Sequence, residues 1–252
     1  MKILALDTTG KQAGAAIVDE YIAIGEIMIN AKSGPKAWHH SEILMPAVER
    51  LFALSGQELA DMDYIAYTAG PGSFTGIRIG AATALGLARS INKPAVAVPT
   101  LDSLAYNMLG MIGHGETNHD AHVLEGVVVP MMDARRGQVY AAIYRFGQLG
   151  ELERITDYFA APISEVMDRV GELSTHAVLL GDGADAYKPE IIAVAPGVTF
   201  APANNNRQRP SSIGLCAMHQ VSNMAVDSTG KLATQPELIY IRDPQIKPTA
   251  TL

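Results

Sequence analysis

The run Ala69-Gly-Pro-Gly-Ser-Phe-Thr-Gly-Ile-Arg-Ile-Gly-Ala-Ala-Thr-Ala-Leu-Gly-Leu-Ala88 constrains the fold of this chain more than any other segment. It follows a short apolar strand, Tyr64-Ile-Ala-Tyr-Thr68, opens with a Gly-Pro-Gly turn and continues as a helix. Gly72, Gly76 and Gly80 recur every fourth residue and so share one helical face. Each glycine costs a helix about 1 kcal/mol against alanine. Three on one stripe predict that another backbone or helix comes very close. The opposite face carries Phe74, Ile77, Ala81, Ala84, Leu85, Ala88 and Ile91, an ordinary core stripe. A helix packed on both sides points to a partner surface, with the stripe admitting a partner helix.

The rest of the chain alternates in a way that suggests two similar halves. Lys2–Asp7 is a nearly continuous apolar strand, followed by the Thr8-Thr9-Gly10 turn. Strands are expected at Ala13–Val18 and Ile22–Ile29, and a helix at Ser41–Leu54 with Pro46 in its first turn or kinking it. Strand Tyr64–Thr68, the glycine-striped helix, strand Ala95–Val98 and a helix from Thr100 complete the first unit. The second half repeats the outline: strands Val123–Met132, Val139–Arg145 and Leu152–Tyr158, helix Ser164–Val170, strand Ala177–Leu180 and helix Ser211–Met224. Gly110–Glu125, polar and rich in Gly and His, reads as a loop between them. This pattern predicts an α/β protein of the actin/hexokinase-like (ASKHA) class, with two ribonuclease-H-like domains, each a mixed sheet flanked by helices. The expected domains are 1–106 and 107–252, with helix 211–224 packing back on the first. Such an architecture argues fold and not function.

Composition narrows the function classes. The 252 residues are 48% hydrophobic and 18% charged, enough for a sizeable core. A net charge of −7 disfavours unaided binding to nucleic acid, whose phosphates need neutralising. Cys216 is the single cysteine, so neither an intrachain disulfide nor a cysteine metal cluster forms, and its place among apolar helix residues suits a buried, inert thiol. Met1–Leu6 reads as a strand and not a signal segment, and no stretch reaches the ~20 apolar residues of a membrane span. The expected compartment is the cytoplasm.

Several residues have the chemistry of a site. In actin-like ATPases the first hairpin presents hydroxyls and amides to phosphate and its aspartate holds Mg²⁺ through water; here Asp7, Thr8 and Thr9 stand there. Asp133, Arg135 and Arg136 occupy the corresponding second-half loop, which lacks paired glycines, while Gly181 and Gly183 match the adenosine-side loop. Capped turns and a strand-to-helix turn explain the same residues without a ligand. Ser73 suits a helix N-cap better than a nucleophile elbow, because Gly72 directly precedes it. Adjacent His39 and His40 project roughly 100° apart on a helix, a poor bidentate pair. His114, Glu116, His119, Asp120 and His122 could gather a stray cation, though a solvated loop is the simpler reading. Trp38, before the first helix, suits a contact surface or a hinge packed on its own domain.

Gly70-Pro-Gly-Ser-Phe-Thr-Gly-Ile-Arg-Ile-Gly80 resembles the signature of the TsaB family, also called YeaZ. Lys2–Thr9, His40-Ser-Glu-Ile-Leu-Met-Pro46 and Met132-Asp-Ala-Arg-Arg-Gly-Gln-Val-Tyr140 are similar to the family's opening strand, first helix and second-domain start. Tyr240-Ile-Arg242 is a weaker match, with Leu238 where the family has proline. The resemblance implies a non-catalytic scaffold in threonylcarbamoyladenosine modification of tRNA, next to the anticodon. It would pair with the catalytic paralogue TsaD, recruit the ATPase TsaE, form a homodimer when alone, and meet tRNA only through the complex. The paralogue's helical histidine pair holds a metal, and here Met45 and Pro46 stand where the second histidine would fall. No catalytic residue, metal or cofactor is therefore expected, with weak ATP or ADP binding left open. The family contact uses first-domain helices, placing Ser41, Leu44, Val48, Gly72, Phe74, Gly76, Arg78, Gly80 and Thr83 at the interface. The alternatives are a small-molecule kinase or ATPase of the same fold and, third, a protease.

Overall fold

The structure, a computed structural model, describes residues 1–30, 39–111, 126–146, 152–223 and 237–241. Trp38, the loop acids and histidines between 114 and 122, Met224 and Arg242 lie outside these residues.

In the first half, strands β1 (Ile3–Asp7), β2 (Gln12–Val18), β3 (Ala23–Asn30), β4 (Tyr64–Gly70) and β5 (Ala95–Pro99) form a sheet in the order β3-β2-β1-β4-β5. β1, β2 and β3 are antiparallel, whereas β1, β4 and β5 run parallel. Every residue of β1 and β2 is buried, which explains their near-continuous apolar runs. Helices α1 (His40–Ser55) and α2 (Phe74–Ser90) cover one face. Leu44, Val48 and Leu51 of α1 and Ala81, Ala84 and Ala88 of α2 share a core there with Leu4, Leu6, Ile65 and Tyr67. α1 starts where the Glu42 carboxylate accepts the His39 backbone N–H at 2.8 Å, and it stops at Gly56 in the left-handed region. Pro46 sits in the second turn, on the exposed side, and not in the first.

The second half repeats this topology. Strands β6 (Val127–Arg135), β7 (Gln138–Ala141), β8 (Tyr144–Phe146), β9 (Leu152–Arg154), β10 (Phe159–Ala161), β11 (Ala177–Leu180) and β12 (Thr199–Phe200) form one sheet. Its main path, β10-β7-β6-β11-β12, again has an antiparallel arm and a parallel arm. The expected strand Val139–Arg145 divides at Ala142-Ile143, and β8 with β9 forms an added hairpin on the first residues of β6. Of the expected strand Leu152–Tyr158 only Leu152–Arg154 forms, as β9, with β10 following at Phe159, and β6 begins at Val127. Helices α4 (Ile163–Leu173), α5 (Asp182–Ala186) and α6 (Lys188–Val194) pack on this sheet. Two mixed sheets flanked by helices, with matching strand orders, make this the two-domain actin/hexokinase-like fold.

Two helices cross over between the halves. α3 (Thr100–Ala105), which precedes residue 106, sends Leu101, Leu104 and Ala105 into a core with Val128, Tyr144, Val178 and Leu180 of the second sheet. α7 (Pro210–Asn223) returns to the first sheet, where Ile213, Cys216 and Ala217 pack on Ile3, Ala5, Val18 and Val98. Its start is pinned by Glu26 of β3, whose carboxylate accepts from the Ser211 N–H at 2.9 Å and hydroxyl at 2.8 Å and pairs with Arg209 at 2.8 Å. Among the described residues no helix is long and apolar enough to cross a membrane.

Candidate functional site

Asp7 ends β1 and is fully buried. Its Oδ1 accepts three hydrogen bonds, from the Thr9 N–H at 3.0 Å, the Thr9 hydroxyl at 2.6 Å and the Thr68 hydroxyl at 2.7 Å. Oδ2 is buried with no partner among the described residues. Burial pushes the Asp7 carboxyl above its ordinary range, against these three bonds, which pull it down.

The glycine stripe of α2 faces this same turn. The Thr8 hydroxyl donates to the Gly76 carbonyl at 2.7 Å, and the Ser73 N–H donates to the Thr9 carbonyl at 2.8 Å. A Cβ at Gly76 would collide with the Thr8 carbonyl, one at Gly80 would lie 2.6 Å from the Thr8 hydroxyl, and one at Gly72 would lie 2.7 Å from the Thr9 carbonyl. The expectation that the stripe admits a partner helix is thus corrected: the close backbone is the chain's own β1–β2 turn. Ser73 is the N-cap, accepting the Gly76 N–H at 3.2 Å.

The remaining phosphate-loop candidates lie in the second half, where Arg135 and Arg136 are exposed and Gly183 is buried. Arg135 and Arg136 adopt positive φ in the β6–β7 hairpin, and the Arg135 guanidinium folds back on Asp133 at 3.1 Å. Gly181, with φ of 105°, and Gly183 let α5 lie against the β6 backbone at Met131 and Met132. A cavity of about 270 Å³ does open between the halves, lined by Gly10, Lys11, Gln12, Gly181, Asp182 and Arg207 among others. It lies below the roughly 300–1,000 Å³ of small-molecule sites. Asp7, Thr8, Thr9, Asp133, Arg135 and Arg136 are not part of its lining. The residues present fit magnesium nucleotide poorly, because the hydroxyls that would meet phosphate are buried and already spent, that of Thr8 on the Gly76 carbonyl of α2 and that of Thr9 on Asp7 itself.

Sequence reasoning missed the polar seam behind this cavity. The Gln12 amide donates to the Gln208 carbonyl, and the Gln208 amide donates to the Ser103 hydroxyl. Asn107 donates to the carbonyls of Asn205, at 2.9 Å, and Arg207, at 2.6 Å. The one available signal was the run Asn204-Asn-Asn-Arg-Gln208 before a helix, too polar for an ordinary core segment.

Of the residues expected at an interface on the outer side of α1 and α2, only some are exposed. Ser41, Phe74 and Arg78 are exposed, and Gly72 and Thr83 are half-buried. Leu44, Val48, Gly76 and Gly80 are buried, which corrects their place at an interface: the leucine and valine fill the core beneath α1, and the glycines press on Thr8. The outward apolar groups are instead Met45, Leu54, Phe74 and Leu85. Residues 237–241 lie beside them. The Ile239 N–H donates to the Ala69 carbonyl at 2.8 Å, and the Tyr240 ring packs tilted against Phe74, centroids 5.6 Å apart.

Among the described residues no group of three or more His, Cys, Asp or Glu side chains could hold a metal. Cys216 is buried, and burial pushes its thiol well above the ordinary value.

A family model described as TsaD, tRNA N6-adenosine threonylcarbamoyltransferase, matches residues 35–246. A Bacillus subtilis (strain 168) protein named tRNA threonylcarbamoyladenosine biosynthesis protein TsaB is 31% identical over 214 residues, covering 84% of this chain and 85% of that one. A Haemophilus influenzae protein of the same name is 30% identical over 250 residues, covering 96% and 94%. The solved structure of YeaZ from Pseudomonas aeruginosa superposes with a TM-score of 0.70 at 24% identity, covering 95% of this chain and 99% of that one.

Proposed function

The chain belongs to the TsaB (YeaZ) family, and from that premise we propose that it serves the synthesis of threonylcarbamoyladenosine in tRNA as a non-catalytic scaffold that pairs with TsaD, activates it and recruits TsaE. The observation that carries the non-catalytic reading is the Asp7 turn. Its threonines, which a phosphotransferase would aim at phosphate, are sealed under α2 by the glycine stripe. His40 has no second histidine one turn on, so the metal set expected of the catalytic paralogue is incomplete. The outward side of α1 and α2, with Met45, Leu54, Phe74 and Leu85 exposed, offers the apolar area that association needs. On this reading the protein is cytoplasmic, self-associates through this face when alone, and meets tRNA only through the complex, as its net charge of −7 favours.

Size-exclusion chromatography with light scattering, mixing this protein with TsaD from the same organism, tests the reading. A one-to-one complex that forms at the expense of the homodimer is expected, and TsaE with ATP should join it. No complex between two folded proteins, together with micromolar Mg-ATP binding and turnover by calorimetry, would overturn it in favour of a phosphotransferase.

A further inference from the structure

The exposed side of α2 differs in charge from the rest of the molecule. The chain has 26 Asp and Glu against 19 Lys and Arg, yet Phe74–Ser90 contains Arg78 and Arg89 and no acid. Phe74, Arg78, Ala82, Leu85 and Arg89 follow one another at spacings of four, four, three and four, and all are exposed. They form a single outward stripe.

Arg78 on this stripe meets two side chains. Its guanidinium carbon lies 3.8 Å from the centroid of the Phe74 ring. Its Nε donates to the Tyr240 hydroxyl at 3.3 Å, and the Tyr240 ring packs tilted against Phe74. Tyr240 reaches this position because Ile239 bonds to Ala69 and packs, with Leu238, on the edge of the first core. Among the described residues Arg78 has no carboxylate partner, and neither terminal nitrogen is used in the bond to Tyr240, which is made by Nε. A guanidinium held by one aromatic ring and one phenol hydroxyl binds a carboxylate with less loss of its own rotamer freedom. Its planar fork matches a carboxylate's two oxygens.

We propose that Phe74, Arg78 and Tyr240 form a preformed clamp for an Asp or Glu side chain on the partner transferase, and that this clamp anchors the complex. The proposal rests on the scaffold reading above. The occupant is a protein surface carrying an acid beside apolar side chains, because Phe74, Ala82 and Leu85 flank the cation along the stripe. Small Ala82 and Gly86 let a helix lie close to its middle. An RNA phosphate would suit Arg78 but not these apolar neighbours. Tyrosine and arginine are also the residue types that most often dominate binding energy at interfaces.

The test is calorimetric titration of TsaD with wild-type protein, Arg78→Ala, Arg78→Lys and Tyr240→Phe, with circular dichroism to confirm that each is folded. Arg78→Ala should weaken binding at least about tenfold, and Arg78→Lys nearly as much, because lysine neither stacks nor forks. Tyr240→Phe, which removes one oxygen, should cost a smaller factor. Raising salt should weaken wild-type binding more than Arg78→Ala binding. If wild-type protein binds TsaD and Arg78→Ala binds within twofold of it, the clamp is wrong while the scaffold reading stands. If Arg78→Ala keeps its affinity for TsaD but loosens tRNA from the complex, the clamp serves phosphate and the proposal is overturned. If wild-type protein does not bind TsaD, the clamp falls together with the scaffold reading.

Discussion

Gly76→Leu is expected to lower the unfolding free energy by about 4 kcal/mol, the upper range for overpacking, and the melting temperature by roughly 10 °C for a chain of this size. The cause is local and severe. The added side chain must start where the Thr8 carbonyl already sits, in the tightest contact between α2 and the β1–β2 turn. Relief requires α2 to lift, which breaks the bond from the Thr8 hydroxyl to the Gly76 carbonyl and opens the core at Ala81 and Ala84. Gly86, on the same helix, supplies the control. A Cβ there meets nothing within 4 Å, so Gly86→Ala should stabilise by up to about 1 kcal/mol. Thermal denaturation of both variants checks the pair. Equal, small effects would mean that the stripe carries no packing role. A loss of partner binding in Gly76→Leu alone could not be read as a lost interface, since the fold itself is at stake.

Asp7→Ala should be the second large loss, about 3 kcal/mol or more, because it strands three buried donors at about 1–3 kcal/mol each. Those donors are the Thr9 N–H and the hydroxyls of Thr9 and Thr68. Asp7→Asn keeps an acceptor for all three and should be milder. It should also change the pH dependence. Burial raises the Asp7 carboxyl above its unfolded value, so the folded state holds this proton more tightly than the unfolded chain does. That contribution is fully present below the unfolded value of about 3.9 and is lost as pH rises through the folded one. The stability difference between Asp7→Asn and wild type should therefore move in favour of asparagine as pH rises above about 4. Asp102, also raised by burial, is present in both proteins and cancels. Urea titrations across that range measure the difference; a flat one would mean that Asp7 titrates in the folded state as it does in the unfolded chain.

The order of elements was legible because each carries its own period: continuous apolar runs for β1, β4 and β11, and spaced apolar residues for α1, α2 and α4. The division of Val139–Arg145 was not, since Ala142 and Ile143 are as apolar as the strands they separate and both are buried in it. The glycine stripe shows the limit most clearly. Its spacing announced a close approach, but the approaching backbone, Thr8 and Thr9, lies more than sixty residues earlier in the chain, and nothing in the period names it. The partner-side reading of Leu44 and Val48 failed for a related reason, because an amphipathic face predicts burial without saying against what. Tyr240 is legible only as a fragment of a family pattern; its seat on Phe74 and Arg78 depends on the return of residues 237–241 to the first sheet.

The crossing of α3 and α7 between the halves has a consequence for how the protein is made. A ribosome that has released the first hundred residues has supplied all five strands of the first sheet and the two helices on one of its faces. The other face, with Ile3, Ala5, Val18, Val96 and Val98, stays uncovered until residues 210–223 have emerged. At typical rates of about 5–20 residues per second, that leaves an apolar sheet surface bare for several seconds or longer. The first half is therefore completed only by chain made after the second half, α7 on this face and residues 237–241 on the other, and until α7 emerges the bare sheet is open to aggregation.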